Sequence, residues 1–254
     1  MDEIVRAVAA ERLKLKRTLA WRIAIGAPLT IVLLNFMVSR RSNAGRPEDV
    51  LLGFAQLTLT TWTIVVLPLY TALAAALVAA LEHQGNNWKH LFALPVERRS
   101  IFVAKWTAGV GLLLVSSLVL PAAVGMASEV LKAIQPALRG TPVPVALVTI
   151  RSLQVFCATG LMLSIQLWVS LRWPSFIAGL AVGIGAVMIL LGGVARAGLG
   201  TIVIYLYPWA LPPTAMARMA EVHPDRLLVS FEGVVVGVLV AAVGCWRLSR
   251  LDMA

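Results

Sequence analysis

The chain has 254 residues, of which 59% are hydrophobic and 13% are charged, and its mean hydropathy is +0.87. A soluble domain usually carries about 25% charged residues, so this composition excludes an ordinary water-soluble enzyme or binding domain. The net charge of +10 is scattered among apolar segments, which favours lipid headgroups or an acidic partner over nucleic acid. Cys157 and Cys245 stand far apart in apolar runs, so we expect neither a disulfide framework nor a cysteine metal site.

The first 18 residues predict an amphipathic helix that lies in the membrane interface, as an elbow before the first span. At helical spacing Ile4, Val5, Val8 and Leu15 share one side, which suits contact with the apolar part of the bilayer. The alternative is an ordinary cytosolic segment before the first span, which its charged residues keep on the cytosolic side. In the elbow interpretation, the side chains expected at the headgroups are Arg12, Lys14, Lys16 and Arg17.

Six apolar runs predict six membrane-spanning helices in a single transmembrane domain over residues 1–254. The second run is longer than the bilayer core requires, and Pro68 predicts a kink in it. An even number of spans places both termini on one side, and the distribution of basic residues favours the cytosol for them. The runs are Leu19 to Val38, Val50 to Leu81, Ile101 to Met126, Val143 to Leu171, Phe176 to Ala195 and Leu227 to Trp246.

Before the last span, residues 201–217 are apolar enough for a membrane but contain Pro208, Pro212 and Pro213. Proline removes backbone donors and bends helices, and irregular backbone at membrane depth needs shielding by protein or water. We therefore expect a re-entrant or interfacial helical hairpin. A kinked seventh span is the alternative.

Three polar residues inside the predicted spans are costly to bury in hydrocarbon and are candidates for the substrate pathway or for packing: Gln56, Gln154 and Glu232. The small-residue pairs Gly179 with Gly183 and Gly233 with Gly237 predict close helix approach, either inside the chain or at a dimer seam.

Residues 82–100 form the most informative loop. Asn87 can cap a short helix that Pro95 ends, and Trp88, Leu91 and Phe92 then share one apolar side. Lys89 and Arg98 lie near that side. This pattern suits docking into a groove of a soluble partner, and the alternative is a tight cytosolic turn whose aromatic side chains anchor in the interface.

The same loop resembles the coupling helix of ABC-2 type transporter permeases, particularly the lantibiotic-immunity and bacitracin-resistance branch. The positions that carry this resemblance are Glu82, Asn87, Trp88, Lys89, Leu91, Pro95, Arg98, Arg99 and Lys105.

The resemblance implies the elbow helix, the six spans and the broken helices before the last span. It also implies contact with a separate ABC ATP-binding subunit, present in two copies, and with a second permease that is identical or a sister chain. Glu82 and Lys105 would tether the loop to its flanking helices. The expected contacts with the ATPase are Glu82, Asn87, Trp88, Lys89, Leu91, Phe92 and Arg98.

By this resemblance the chain is a permease subunit in the bacterial inner membrane that exports an amphipathic substrate, such as a peptide antibiotic or a lipid-like molecule. It contains no GxxxxGK[ST] motif, so ATP and Mg belong to the partner and no cofactor is expected on this chain. Two alternatives remain. One is a membrane-embedded transferase, which would need a cluster of catalytic side chains, and the other is a non-transporting anchor of a larger complex.

Overall fold

The computed structural model describes residues 2–16, 18–41, 46–83, 98–173, 175–195, 207–216 and 225–250. Within these ranges the regular structure is entirely helical. A π-helical turn over Trp62–Val66 joins α3 to α4, and a short 3-10 turn over Pro136–Leu138 follows α5. The helices are α1 (Asp2–Lys16), α2 (Leu19–Ser39), α3 (Pro47–Thr61), α4 (Leu67–His83), α5 (Arg98–Ile134), α6 (Val145–Ala158), α7 (Gly160–Arg172), α8 (Phe176–Ala195), α9 (Leu211–Met216) and α10 (Asp225–Arg250).

Five helical segments of the described residues are long and apolar enough to cross a membrane, and a sixth results if α6 and α7 are one bent span. The five are α2, the combined α3 and α4, α5, α8 and α10. A helix suits a membrane-spanning segment because its backbone donors are paired within the segment and none is exposed to hydrocarbon. The predicted all-α membrane fold is therefore confirmed, and the described residues contain five or six candidate spans against the six predicted.

The second span runs from Pro47 to Ala80 without a break. Its irregularity is the π turn, in which the Leu67 N–H donates to the carbonyl of Trp62, five residues back. Pro68 follows directly and has no N–H for a regular α-helical bond. The π turn shifts the backbone hydrogen-bond pattern just before the proline, which cannot donate. The disturbance expected at Pro68 therefore lies in the preceding turn.

Two other spans differ from their predicted form. Helix α5 continues to Ile134 instead of ending near Met126, and its last turns carry a Glu129–Lys132 ion pair at 3.0 Å. The fourth span is broken at Thr159, where α6 and α7 meet at a bend of 44°.

The bend at Thr159 coincides with the closest approach of another helix. A Cβ atom at Gly233 of α10 would lie 2.5 Å from the Cα atom of Ala158, and one at Gly237 would lie 2.6 Å from the carbonyl carbon of Gly160. On α8, a Cβ at Gly183 would overlap Ala72 of α4. Both predicted glycine pairs therefore pack inside this chain.

The bundle has two distinguishable ends. At one end, which we call the base, α1 packs on the first turns of α5, and Cys245 near the end of α10 lies beside Arg99, with its Sγ 3.9 Å from the Arg99 carbonyl. At the other end, the Gln135 side chain donates to the carbonyl of Arg40 at 2.9 Å. The N-terminal and C-terminal helices thus approach the same end, as an even number of spans requires.

The described part of the proline-rich segment is Tyr207 to Met216, and residues 201–206 and 217 lie outside the description. Helix α9 is buried against α6 and α10, and the Tyr207 hydroxyl donates to the Ala186 carbonyl at 2.6 Å. Six residues of helix span about 9 Å, which is far short of the bilayer core, so α9 by itself is not a seventh span. The re-entrant hairpin stays a prediction.

Candidate functional site

The loop that the sequence singles out is described only at its two ends. Residues 84–97, with Asn87, Trp88, Lys89, Leu91 and Phe92, lie outside the described residues, and so do the side chains of Glu82 and Arg98. Helix α4 ends at His83 and α5 begins at Arg98. The structure therefore defines the two helices that hold the loop, and the contacts expected of its side chains stay predictions.

Two turns into α5, the side chain of Lys105 is completely buried. Its Nζ donates to Oε1 of Glu11 on α1 at 3.3 Å and to the carbonyl oxygen of Val78 on α4 at 3.2 Å. A buried ammonium is costly unless it is paired and hydrogen-bonded, and these contacts supply both. We call Glu11, Val78 and Lys105 the base junction, since they join α1 to both helices that flank residues 84–97.

Glu11 is held from two sides. Its Oε1 also lies 3.3 Å from Nζ of Lys14, one turn further along α1, but the Lys14 side chain is 42% exposed whereas that of Glu11 is 6% exposed. The exposed pair contributes little to stability, so the contact that orders α1 is the one to Lys105. Glu11 had no role in the sequence-based site. The sequence offers one indication of its importance: Glu11 is the only acidic residue between Glu3 and Glu48.

Helix α1 buries Glu11 together with Leu15, which is one residue of the predicted apolar side, and the contact of that side with the bilayer stays a prediction. Glu11 and Leu15 face the bundle, while Ile4 and Val5 are 41% and 63% exposed. The ion pair with Lys105 turns Glu11 inward, and Leu15 follows because residues i and i+4 share a helix face. Of the predicted headgroup contacts, Arg12, Lys14 and Lys16 are exposed, and Arg17 lies outside the described residues.

The polar residues inside the spans do not form one group. Arg151 donates to the side-chain oxygen of Gln154 at 2.8 Å, and the Ser230 hydroxyl of α10 donates to the Gln154 carbonyl at 3.1 Å. Gln56 instead contacts Thr60 and the Met216 sulfur. The side-chain contact of Gln56 with Met216 joins α3 to α9, which favours a packing role for Gln56, whereas the side chain of Gln154 contacts Arg151 of its own helix. Glu232 is partly exposed and forms no ion pair with a described side chain.

The sequence model of a family described as ABC-2 family transporter protein matches residues 7–192. The chain belongs to this family. The matched region begins in α1 and ends in α8, so it includes the base junction and the whole loop between α4 and α5. Members of the ABC-2 family are membrane components of transporters and normally work with a separate ATP-binding subunit. No curated protein matches the chain.

The base junction joins the two helices that flank residues 84–97. Lys105 connects α4 and α5 to α1 through buried contacts. Close-packed buried groups transmit displacement as rigid units more readily than solvated ones do.

Within the described residues, no group of three or more His, Cys, Asp or Glu side chains is arranged to hold a metal ion.

Proposed function

We propose that the chain is the permease subunit of an ATP-driven ABC exporter. Two copies of a separate ATP-binding subunit bind ATP and Mg, and residues 84–97 receive their movement at the base. Two permeases, identical or sister chains, then move an amphipathic substrate across the membrane. The observation that carries this proposal is the base junction, because it connects the ends of the loop to two spans and to α1.

The proposed coupling runs through few contacts. Helices α4 and α5 pack antiparallel on the two sides of the loop, and the Lys105 contact with Val78 keeps them together about one turn from the end of α4. Glu11 adds α1, whose exposed side carries apolar and basic residues. In the elbow role, α1 lies in the headgroup layer and moves with α4 and α5 as one unit.

The base is proposed to face the cytosol of a bacterial cell. Basic side chains are enriched in cytoplasmic segments of membrane proteins, and Arg12, Lys14, Lys16, Arg99 and Arg172 are at or near this end. Both terminal helices approach the base, so the N- and C-termini are proposed to be cytosolic in the inner membrane.

The substrate class rests on the loop pattern alone. Its likeness to the lantibiotic-immunity and bacitracin-resistance branch supports a peptide antibiotic or a lipid-like molecule as cargo. Such molecules partition into the bilayer, so a permease can receive them from within the membrane.

Co-purification of the complex from its native host tests the proposal. The intact chain is compared with the Trp88→Ala/Phe92→Ala double variant and with Trp173→Ala, which removes an exposed tryptophan at the end of α7, outside the loop. We expect an ABC ATP-binding subunit in a defined ratio with the intact chain and with Trp173→Ala. The double variant should lose that subunit or hydrolyse ATP without transport. Absence of an ATPase from the intact complex would overturn the proposal.

A further inference from the structure

A groove with a volume of about 410 Å³ opens on the side of the bundle between α5 and α10, at the base. From α5 it is lined by Arg99, Phe102 and Trp106, which recur at intervals of three and four residues and so share one face of the helix. We call this concavity the α5–α10 groove. Both of its walls belong to candidate membrane spans.

The wall from α10 is equally apolar. It contains Ala242, the thiol of Cys245 and the ring of Trp246, which is 48% exposed. Trp106 marks the deep end, and seven residues of helix separate it from Arg99, which corresponds to about 10 Å along the helix axis. The groove is therefore an apolar channel of limited length that runs from the base toward the membrane interior.

Its single charge lies at the base end. Arg99 is exposed, and no described carboxylate forms an ion pair with it. An arginine guanidinium recognises phosphate through two parallel N–H donors, and tryptophan is the side chain that favours the boundary between headgroups and hydrocarbon. Arg99 and Trp246 together place a phosphate-binding group at headgroup depth and an apolar channel directly beneath it.

We propose that the α5–α10 groove binds one anionic phospholipid from the leaflet at the base. The phosphate contacts Arg99, and an acyl chain lies along Phe102 and Trp106. A second copy of the chain fits the charge less well, since each chain has 22 basic and 12 acidic residues and would bring mainly like charge toward Arg99. This site depends on the membrane location and on the groove, and not on ATP-driven transport.

Lipid retention measured by native mass spectrometry tests the site. The chain is purified in detergent with phosphatidylglycerol or phosphatidylcholine, in the intact form and as Arg99→Gln. The matched control is Arg172→Gln, an exposed arginine at the end of α7 outside the groove. We expect one retained phosphatidylglycerol per intact chain and per control chain. Arg99→Gln should weaken retention about tenfold, the size expected for one charge-assisted hydrogen bond.

A second variant fills the channel instead of removing its charge. Ala242→Phe places a ring in the groove, and Leu239→Phe adds the same ring at an exposed position of α10 outside it. In a Cys157→Ser background, the alkylation rate of Cys245 reports occupancy, because that thiol is part of the wall. We expect phosphatidylglycerol to slow alkylation several-fold in the Leu239→Phe chain, and Ala242→Phe to abolish retention of the lipid.

Equal retention of the two lipids, or equal retention by Arg99→Gln and Arg172→Gln, would show an ordinary annular lipid shell and overturn the proposal. Protection of Cys245 in both lipids, together with a disulfide between two copies at Cys245, would also overturn it and assign the groove to a second copy.

Discussion

Nζ of Lys105 lies 3.3 Å from Oε1 of Glu11, although the two residues are 94 positions apart in the chain. The lysine is fully buried and the carboxylate nearly so, which makes this pair a buried charged contact between α1 and the spans. Because Lys105 of α5 also contacts Val78 of α4, the pair connects α1 to both helices that flank residues 84–97.

Breaking this pair should destabilise the protein strongly. Lys105→Met leaves the Glu11 carboxylate buried without its α5 partner, and we expect a loss of about 3 kcal/mol in the free energy of unfolding. Lys14→Gln removes the exposed partner of the same carboxylate and should change stability by less than about 0.5 kcal/mol. Thermal unfolding of the detergent-solubilised variants, followed by circular dichroism, checks both values. Similar effects of the two substitutions would mean that burial does not distinguish the two pairs.

The double variant Glu11→Gln/Lys105→Met should recover part of the loss, since it leaves no buried charge at the junction. A double-mutant cycle with the two single variants gives the coupling between the residues. Additive effects would show that the two side chains, 3.3 Å apart in the structure, do not interact in the solubilised protein.

Two glycines of α8 should respond in opposite ways to the same substitution. Gly183→Ala adds a methyl group that overlaps Ala72 of α4, and we expect it to cost about 1–3 kcal/mol. Gly185 has no atom within 4 Å of an added Cβ, so Gly185→Ala should be neutral or stabilise the helix by up to about 1 kcal/mol. Thermal unfolding distinguishes them, and a destabilisation by Gly185→Ala equal to that of Gly183→Ala would contradict the packing of α8 on α4.

A hydroxyl between two spans should matter more than one that bonds its own helix. The indole N–H of Trp106 donates to Oγ of Ser164 on α7 at 2.9 Å, whereas the Ser128 hydroxyl donates only to the Val124 carbonyl of its own helix. Ser164→Ala leaves the indole donor without this acceptor and should cost about 1–2 kcal/mol. Ser128→Ala is the control, with an expected change below about 0.5 kcal/mol, because the acceptor it leaves already has a helix partner. Chemical denaturation in mixed micelles is the measurement.

The orientation can be read with single cysteines. After Cys157→Ser and Cys245→Ser, the chain has no cysteine, and Ala137→Cys and Ser175→Cys place exposed thiols at opposite ends of the bundle. With the base in the cytosol, a membrane-impermeant maleimide applied to spheroplasts should label Ala137→Cys and leave Ser175→Cys unmodified until the membrane is permeabilised. The reverse pattern would place the base outside.

Several features could be predicted because they are local. The run Phe176 to Ala195 was expected as a span and is α8 with the same bounds, since an uninterrupted apolar stretch of this length has only one stable form in hydrocarbon. The proline disturbance in the second span was also expected, but not its resolution as a π turn at Trp62–Val66. The break at Thr159 could not be predicted in this way, because no proline or charged residue lies next to it in the sequence. It occurs where the glycines of α10 meet the backbone of another span, and that meeting is a long-range event.

By itself, the sequence determined that this is a helical, multi-pass membrane protein, where most of its spans lie, and a resemblance to the ABC-2 transporters that the family match then established. These properties follow from the cost of placing unpaired backbone and charged groups in hydrocarbon, which applies to each segment independently of the others. Only the tertiary structure decided that Glu11 turns inward to Lys105, that the glycine pairs pack within the chain, and that α5 and α10 leave a groove with Arg99 at one end. Those features depend on which helix faces meet, and residues far apart in the chain must come together before any of them exists.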